Sequence, residues 1–229
     1  MKRAVAFSQA SYPGFQVHDS MEVAAQPRAL DPVELSSKIL IVSLFTLFAM
    51  RIAQDFIATG RMTGLLLLAS ESLVVILTVV RRAAGTVDRS WQSRFLTLLS
   101  MSGPPLVFPA KIPAWWPGSV TLTLSMVGLL VVIAGKMSLG RSFGLLPANR
   151  GVVCRGCYRM LRHPIYAGYL VTHVAFVAAN PSMWNIVVLL VADAGLLRRA
   201  VYEERTLARD DEYRDYMGRV RWRIVPGLF

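Results

Sequence analysis

Residues 118–137 run for a full membrane-crossing length with Lys136 as their only charge, and they are one of several such runs in this chain. A helix needs roughly 20 mostly apolar residues to cross a bilayer, because every backbone polar group must be satisfied within the segment. Residues 37–58, 63–82 and 94–112 are further candidates. The first holds Arg51 and Asp55 four apart, on one helical face where they can pair. The second has Glu71 near its middle, and the third carries Gly103-Pro104-Pro105, which is expected to break or kink it. The run from His163 to Leu197 is too long for one crossing, and Asn180-Pro181-Ser182 near its middle reads as a tight turn. It therefore divides into helices over 164–179 and 182–208. The expected fold is all-α: a multi-spanning transmembrane protein with about six spans and a C-terminal helical hairpin.

Composition agrees. Of 229 residues 54% are hydrophobic and only 17% are charged, against about 25% charged in a soluble domain. The net charge of +11 raises nucleic acid as a partner. However, the basic residues form no soluble domain; they fall in short loops between apolar runs, as on the inner side of a membrane. Of the 25 Lys and Arg, 22 cluster in the N-terminal segment, the loops after the second and fourth spans, and the tail from Arg198. The alternate loops carry only Arg61 and Lys111. Both termini are thus expected on the cytoplasmic side, with Trp115 and Trp116 in the outer interfacial belt. No continuous apolar stretch follows Lys2 and Arg3, so residues 1–36 read as a cytoplasmic tail and not as a cleaved signal. Cys154 and Cys157 are spaced C-x-x-C, but they lack the further ligands zinc requires and the strand-to-helix context of a redox site. They read as reduced loop thiols, and no metal is expected.

The polar and aromatic residues concentrate after residue 138. The loop from Ser138 to Tyr158 is Gly-rich and basic, but it lacks the Gly-Lys-Ser/Thr element of a nucleoside triphosphate site. Arg162-His163-Pro164 follows. Proline suits the first helical turn, and the unpaired N–H groups there, flanked by Arg162 and His163, favour a small anion such as a carboxylate. Tyr166 and Gly168 lie just inside. After the hairpin returns to the same side, Arg199 and Glu203 share a helical face, with Glu204 next to them. Such a face beside the Arg-His helix start suits a zwitterion, with Glu on an ammonium or on hydroxyls and Arg on a carboxylate. Read alone, these residues equally allow an interfacial cap at His163 and a surface ion pair between Arg199 and Glu203.

The pattern Gly156-x-Tyr158-x-x-x-Arg162-His163-Pro164-x-Tyr166-x-Gly168, then Arg199-x-x-x-Glu203-Glu204-x-x-Leu207, Tyr213-x-x-Tyr216 and Pro226, resembles the C-terminal half of the isoprenylcysteine carboxyl methyltransferase family. Phospholipid N-methyltransferases share much of it. The resemblance covers residues 138–227 and implies an integral membrane enzyme using S-adenosylmethionine at a cytoplasmic site. By that similarity Val152, Val153, Tyr158, His163, Pro164, Ile165, Tyr166 and Glu203 contact the cofactor, with Arg162 at the anion seat. Arg199 faces a lipophilic acceptor, and Glu204 is the nearest proton acceptor if that acceptor is an amine. Residues 37–137 have no counterpart in the resemblance and are expected to shape the acceptor site, while 138–229 form the cofactor half. Other readings are a phospholipid amine or small-thiol methyltransferase, a sterol-type reductase using a nicotinamide cofactor, and a non-enzymatic membrane protein. The expected partners are the bilayer and the lipophilic acceptor.

Overall fold

A computed structural model describes residues 62–82, 86–88, 90–144 and 148–229, together with single helical positions between Ile39 and Ile57. The helices are α1 (Met62–Val80), α2 (Trp91–Leu106), α3 (Gly118–Leu139), α4 (Pro164–Ala179), α5 (Met183–Leu207) and α6 (Asp211–Arg219). Two short pieces of strand, β1 (Thr86–Val87) and β2 (Ala148–Asn149), pair antiparallel and join the loop after α1 to the loop after α3. The described residues are otherwise helices, single 3-10 turns and loops, so the all-α expectation holds. Arg51, Asp55 and residues 1–36 lie outside the described residues.

The helix starts follow local chemistry. Ser90 caps α2 by accepting from Ser93 N–H, Ser182 caps α5 through Asn185 N–H, and Asp210 caps α6 through Glu212 N–H. Pro164 opens α4, where its missing N–H costs nothing. Gly103-Pro104-Pro105 does not break α2, contrary to expectation. The prolines fall in the last turn, which ends at Leu106, and hydroxyls of Thr97, Ser100 and Ser102 bond to carbonyls of the preceding turn. Gly103 is there for contact, since a Cβ would lie 2.8 Å from the Cβ of Ala192 on α5.

α4 packs chiefly on α3, α5 chiefly on α2, and α1 on α3. The α3–α4 contact is made backbone to backbone: a Cβ on Gly168 would lie 2.6 Å from the carbonyl oxygen of Gly128. The hairpin turn is tied to the segment after α2 by side-chain amides. Asn185 donates to the carbonyls of Phe108 and Asn180 and accepts from Phe108 N–H, while Asn180 accepts from Ala110 N–H.

Polarity is reversed from that of a water-soluble domain. Ser70, Glu71, Thr78, Ser93, Thr97, Ser100, Lys136, Asn185 and Arg199 are buried, whereas Phe95, Leu98, Leu122, Leu130, Val174, Leu190 and Val191 are exposed. Lys136, the one charge of the 118–137 run, is inside α3 with no exposed surface. Its ammonium donates to the Ser70 carbonyl at 2.9 Å and to the Ser70 hydroxyl at 2.7 Å, and lies 3.7 Å from Glu71. Among the described residues one segment, Gly118–Ser142, is long and apolar enough to cross a membrane, with a mean hydropathy of 2.0; Leu66–Val80 and Pro164–Ala179 are shorter apolar helices.

Candidate functional site

The start of α4 and the last turns of α5 come together, and two adjacent carboxylates organise what lies between them. Glu203 accepts from the Tyr166 hydroxyl at 2.7 Å and from Arg199 Nε at 3.0 Å, both on Oε1. Its Oε2 lies 3.7 Å from His163 Nδ1, too long for a hydrogen bond. The His163 ring stacks on Tyr166 with centroids 5.2 Å apart, and the Arg199 guanidinium lies over the other end of this stack, 5.5 Å from the Tyr166 ring. Arg199 also reaches Ser100 on α2. The surface ion pair open to the sequence reading is therefore a buried one.

Glu204 faces the opposite way, into cations. His163 Nε2 is 3.2 Å from Oε1, Arg162 Nε is 3.3 Å from the same oxygen, and Arg223 Nε donates to Oε2 at 2.7 Å. Burial pushes the Glu204 carboxyl up, but the hydrogen bonds from His163 and Arg223, with the charge of Arg162, outweigh it and hold the carboxyl below its ordinary value. His163 thus bridges the two carboxylates, one ring nitrogen turned to each.

The backbone around His163 is completed by a later part of the chain. Arg162 N–H donates to the Trp222 carbonyl at 2.9 Å and His163 N–H to the Arg223 carbonyl at 2.7 Å. Leu161 and Trp222 form a parallel bridge, and Ile224 is buried in the core formed by Val74, Val132, Ile165 and Leu196. α6 supports the same region, since the Tyr216 hydroxyl donates to the Tyr158 carbonyl at 2.8 Å. Tyr158 is buried in a 3-10 turn over Gly156–Arg159. Burial pushes its hydroxyl well above the ordinary value, and the charge of Glu203 adds to the shift.

Of the expected residues, Arg162, His163, Tyr166, Arg199, Glu203 and Glu204 form one contiguous group, with Pro164 buried at the first turn of α4 and Tyr158 alongside. Ile165 packs with Tyr166 in the core that also holds Val74, Val132 and Leu196, against Gly135 of α3. Val152 packs on Tyr213, Tyr216 and Val220, and Val153 is half-buried in the same loop. The sequence reading missed Arg223 and Ser100. The Arg221-Trp222-Arg223 run, basic and aromatic just after Tyr213 and Tyr216, was the available signal for the first. Nothing marked Ser100 among the serines of α2. Among the described residues no cluster of three or more His, Cys, Asp or Glu could hold a metal ion, and Cys154 and Cys157 are free thiols.

Part of the chain is similar to two proteins of Arabidopsis thaliana. Protein-S-isoprenylcysteine O-methyltransferase A is 33% identical over 84 residues, which cover 34% of this chain and 43% of that one. Protein-S-isoprenylcysteine O-methyltransferase B is 27% identical over 134 residues, covering 55% and 68%. No family model matches. The chain thus spans less than half the length of the first relative, and its likeness, partial in extent, is to methyltransferases of the isoprenylcysteine kind.

Proposed function

We propose that the protein is an integral membrane methyltransferase that moves a methyl group from S-adenosylmethionine to a lipophilic acceptor, with a multi-pass helical body of about six spans and both termini cytoplasmic. The membrane placement is supported by the reversed polarity of the helices, which bury Lys136, Glu71 and Arg199 and expose Leu, Val and Phe. In water such contiguous apolar faces would be an aggregation surface; in a bilayer they are the lipid contact. Methyl transfer is supported by the likeness to the two O-methyltransferases.

The observation that carries the cofactor assignment is Glu203. Tyr166 and Arg199 fix its Oε1, and Oε2 is left as an acceptor beside the N-terminus of α4. Oε2 suits an ammonium or ribose hydroxyls, whereas the start of α4 is not the anion seat the sequence led us to expect, because the N–H groups of His163, Tyr166 and Ala167 already bond to the carbonyls of Arg223 and His163. S-adenosylmethionine supplies an already activated sulfonium methyl, so the protein's task is alignment and exclusion of water. In this reading His163, Tyr166 and Glu203 hold the cofactor and Arg199 locks the Glu203 rotamer. Glu204 positions His163 and the 222–224 strap; with both oxygens facing cations it is poorly placed to accept a proton.

Calorimetry on the full chain in lipid nanodiscs tests this. The wild type is expected to bind S-adenosylmethionine, with Glu203→Gln and Tyr166→Ala each weakening binding roughly 10- to 150-fold, the equivalent of one charge-assisted hydrogen bond of about 1.5–3 kcal/mol. Transfer of labelled methyl to lipid extracts and prenylcysteine analogues then identifies the acceptor. A folded wild type that binds no S-adenosylmethionine would overturn the proposal.

A further inference from the structure

His173 and Asp193 take no part in the site described above. His173 lies near the middle of α4 and Asp193 near the middle of α5, and His173 Nδ1 is 2.6 Å from Asp193 Oδ1. Their side chains are 12% and 19% exposed, so the pair is neither a surface bridge nor fully enclosed. It spans a crevice. α4 leans on α3 and α5 on α2, and the two hairpin helices meet each other at few points. Tyr166 and His173 are seven apart on α4 and share a face, which puts His173 about 10 Å deeper along the helix than Tyr166. Tyr169 lies between them and stacks on the His173 ring, with centroids 6.4 Å apart. The Glu203 cluster, two aromatic rings and the His173–Asp193 pair thus follow one another along one face of α4.

This arrangement limits what the pair accepts. An imidazole that gives its Nδ1 proton to a carboxylate presents Nε2 as a proton acceptor, in a fixed tautomer and orientation. No group among the described residues bonds to that Nε2. A neutral group that must lose a proton would find a base there.

We infer that His173, oriented by Asp193, is the general base of the methyl transfer, and that the acceptor is a neutral lipophile presenting a weakly acidic hydroxyl, such as a long-chain phenol. This rests on the methyl-transfer reading above. The acceptor oxygen forms the new C–O bond, the methyl carbon's bond to sulfur breaks with its electron pair left on sulfur, and the hydroxyl proton passes to His173 Nε2. Asp193 stabilises the imidazolium, which returns its proton to water once the ether product has left.

The test uses the full chain in nanodiscs with two acceptors, a long-chain alkylphenol and its nitro-substituted counterpart, which is already ionised at the assay pH. The wild type is expected to methylate both. His173→Gln should lower kcat about 100-fold with the alkylphenol, a general-base effect, yet leave the nitro compound within about threefold and leave calorimetric affinity for S-adenosylmethionine unchanged. Asp193→Asn should show the same selectivity. Nitrogen-15 NMR should find His173 of the wild type protonated on Nδ1 and bare on Nε2. Equal losses with both phenols would make the pair a mere hairpin clasp and overturn the inference. So would unimpaired variants, or a wild type that methylates prenylcysteine and neither phenol. Absence of S-adenosylmethionine binding by the wild type would instead bring down the methyl-transfer reading on which the inference stands.

Discussion

Replacing Glu204 by Gln removes one negative charge and leaves two arginines and His163 facing an amide. Glu204 is 5% exposed and holds Arg223 at 2.7 Å, while His163 and Arg162 approach its other oxygen at 3.2 and 3.3 Å. Breaking a buried ion pair by removing one partner costs about 3–5 kcal/mol. Arg223 is 34% exposed and can turn to water, so the low end applies, about 3 kcal/mol. A chain of this size loses about 2–4 °C of Tm per kcal/mol, giving an expected drop of about 6–12 °C in differential scanning fluorimetry. The acid limb fixes the sign. Because the folded carboxyl lies below its ordinary value of 4.5, Glu204 stabilises fully above that pH. Its contribution fades as the pH falls from there through the folded pKa. The gap between wild type and Glu204→Gln should therefore narrow below about pH 4.5. A Tm change under about 2 °C at neutral pH, or a gap that persists in acid, would refute the account of Glu204 as the anchor of His163 and the strap.

Two further outcomes follow from the packing and the turn. Gly168→Ala should cost about 1–3 kcal/mol in thermal stability, the usual range for overpacking, because the new methyl would meet the backbone of Gly128 and not a yielding side chain; an unchanged Tm would mean that α3 and α4 separate freely. Cysteine labelling in sealed vesicles should place positions 112–117 and 180–182 on one side, as their hydrogen bonds require, and position 215 on the other; labelling of all three from one side would remove the hairpin crossing.

The helical hairpin and the span over 118–137 were legible because a long apolar run bounded by Gly, Pro or Asn has few other ways to satisfy its backbone. The clustering of His163, Tyr166, Arg199 and Glu203 was legible for a related reason: a hairpin returns to the face from which it started. The partners of Lys136 were out of reach because a single lysine at the end of an apolar helix looks the same whether it snorkels outward or turns inward; the choice is made by Ser70 and Glu71 on another helix. Arg223 was out of reach because its role depends on a loop folding back nearly twenty residues beyond Glu204, with no periodicity to announce it. α6 carried a signal that the reading took only as part of a family pattern: an Asp cap, two acidic residues in the first turn and Arg219 in the last. The His173–Asp193 pair shows the limit of pattern reading on apolar helices, since the two residues are twenty positions apart and only the turn between them makes them neighbours.

The strap at residues 222–224 also sets the order in which the site can come into being. It supplies the carbonyls that accept from Arg162 and His163 N–H, and the guanidinium that holds Glu204, yet it is synthesised after every helix it organises. A ribosome-bound chain that has released α4 and α5 still has His163 without its anchors. Assembly of the site must wait until residue 224 has left the exit tunnel, so the hairpin can form before it can engage a ligand.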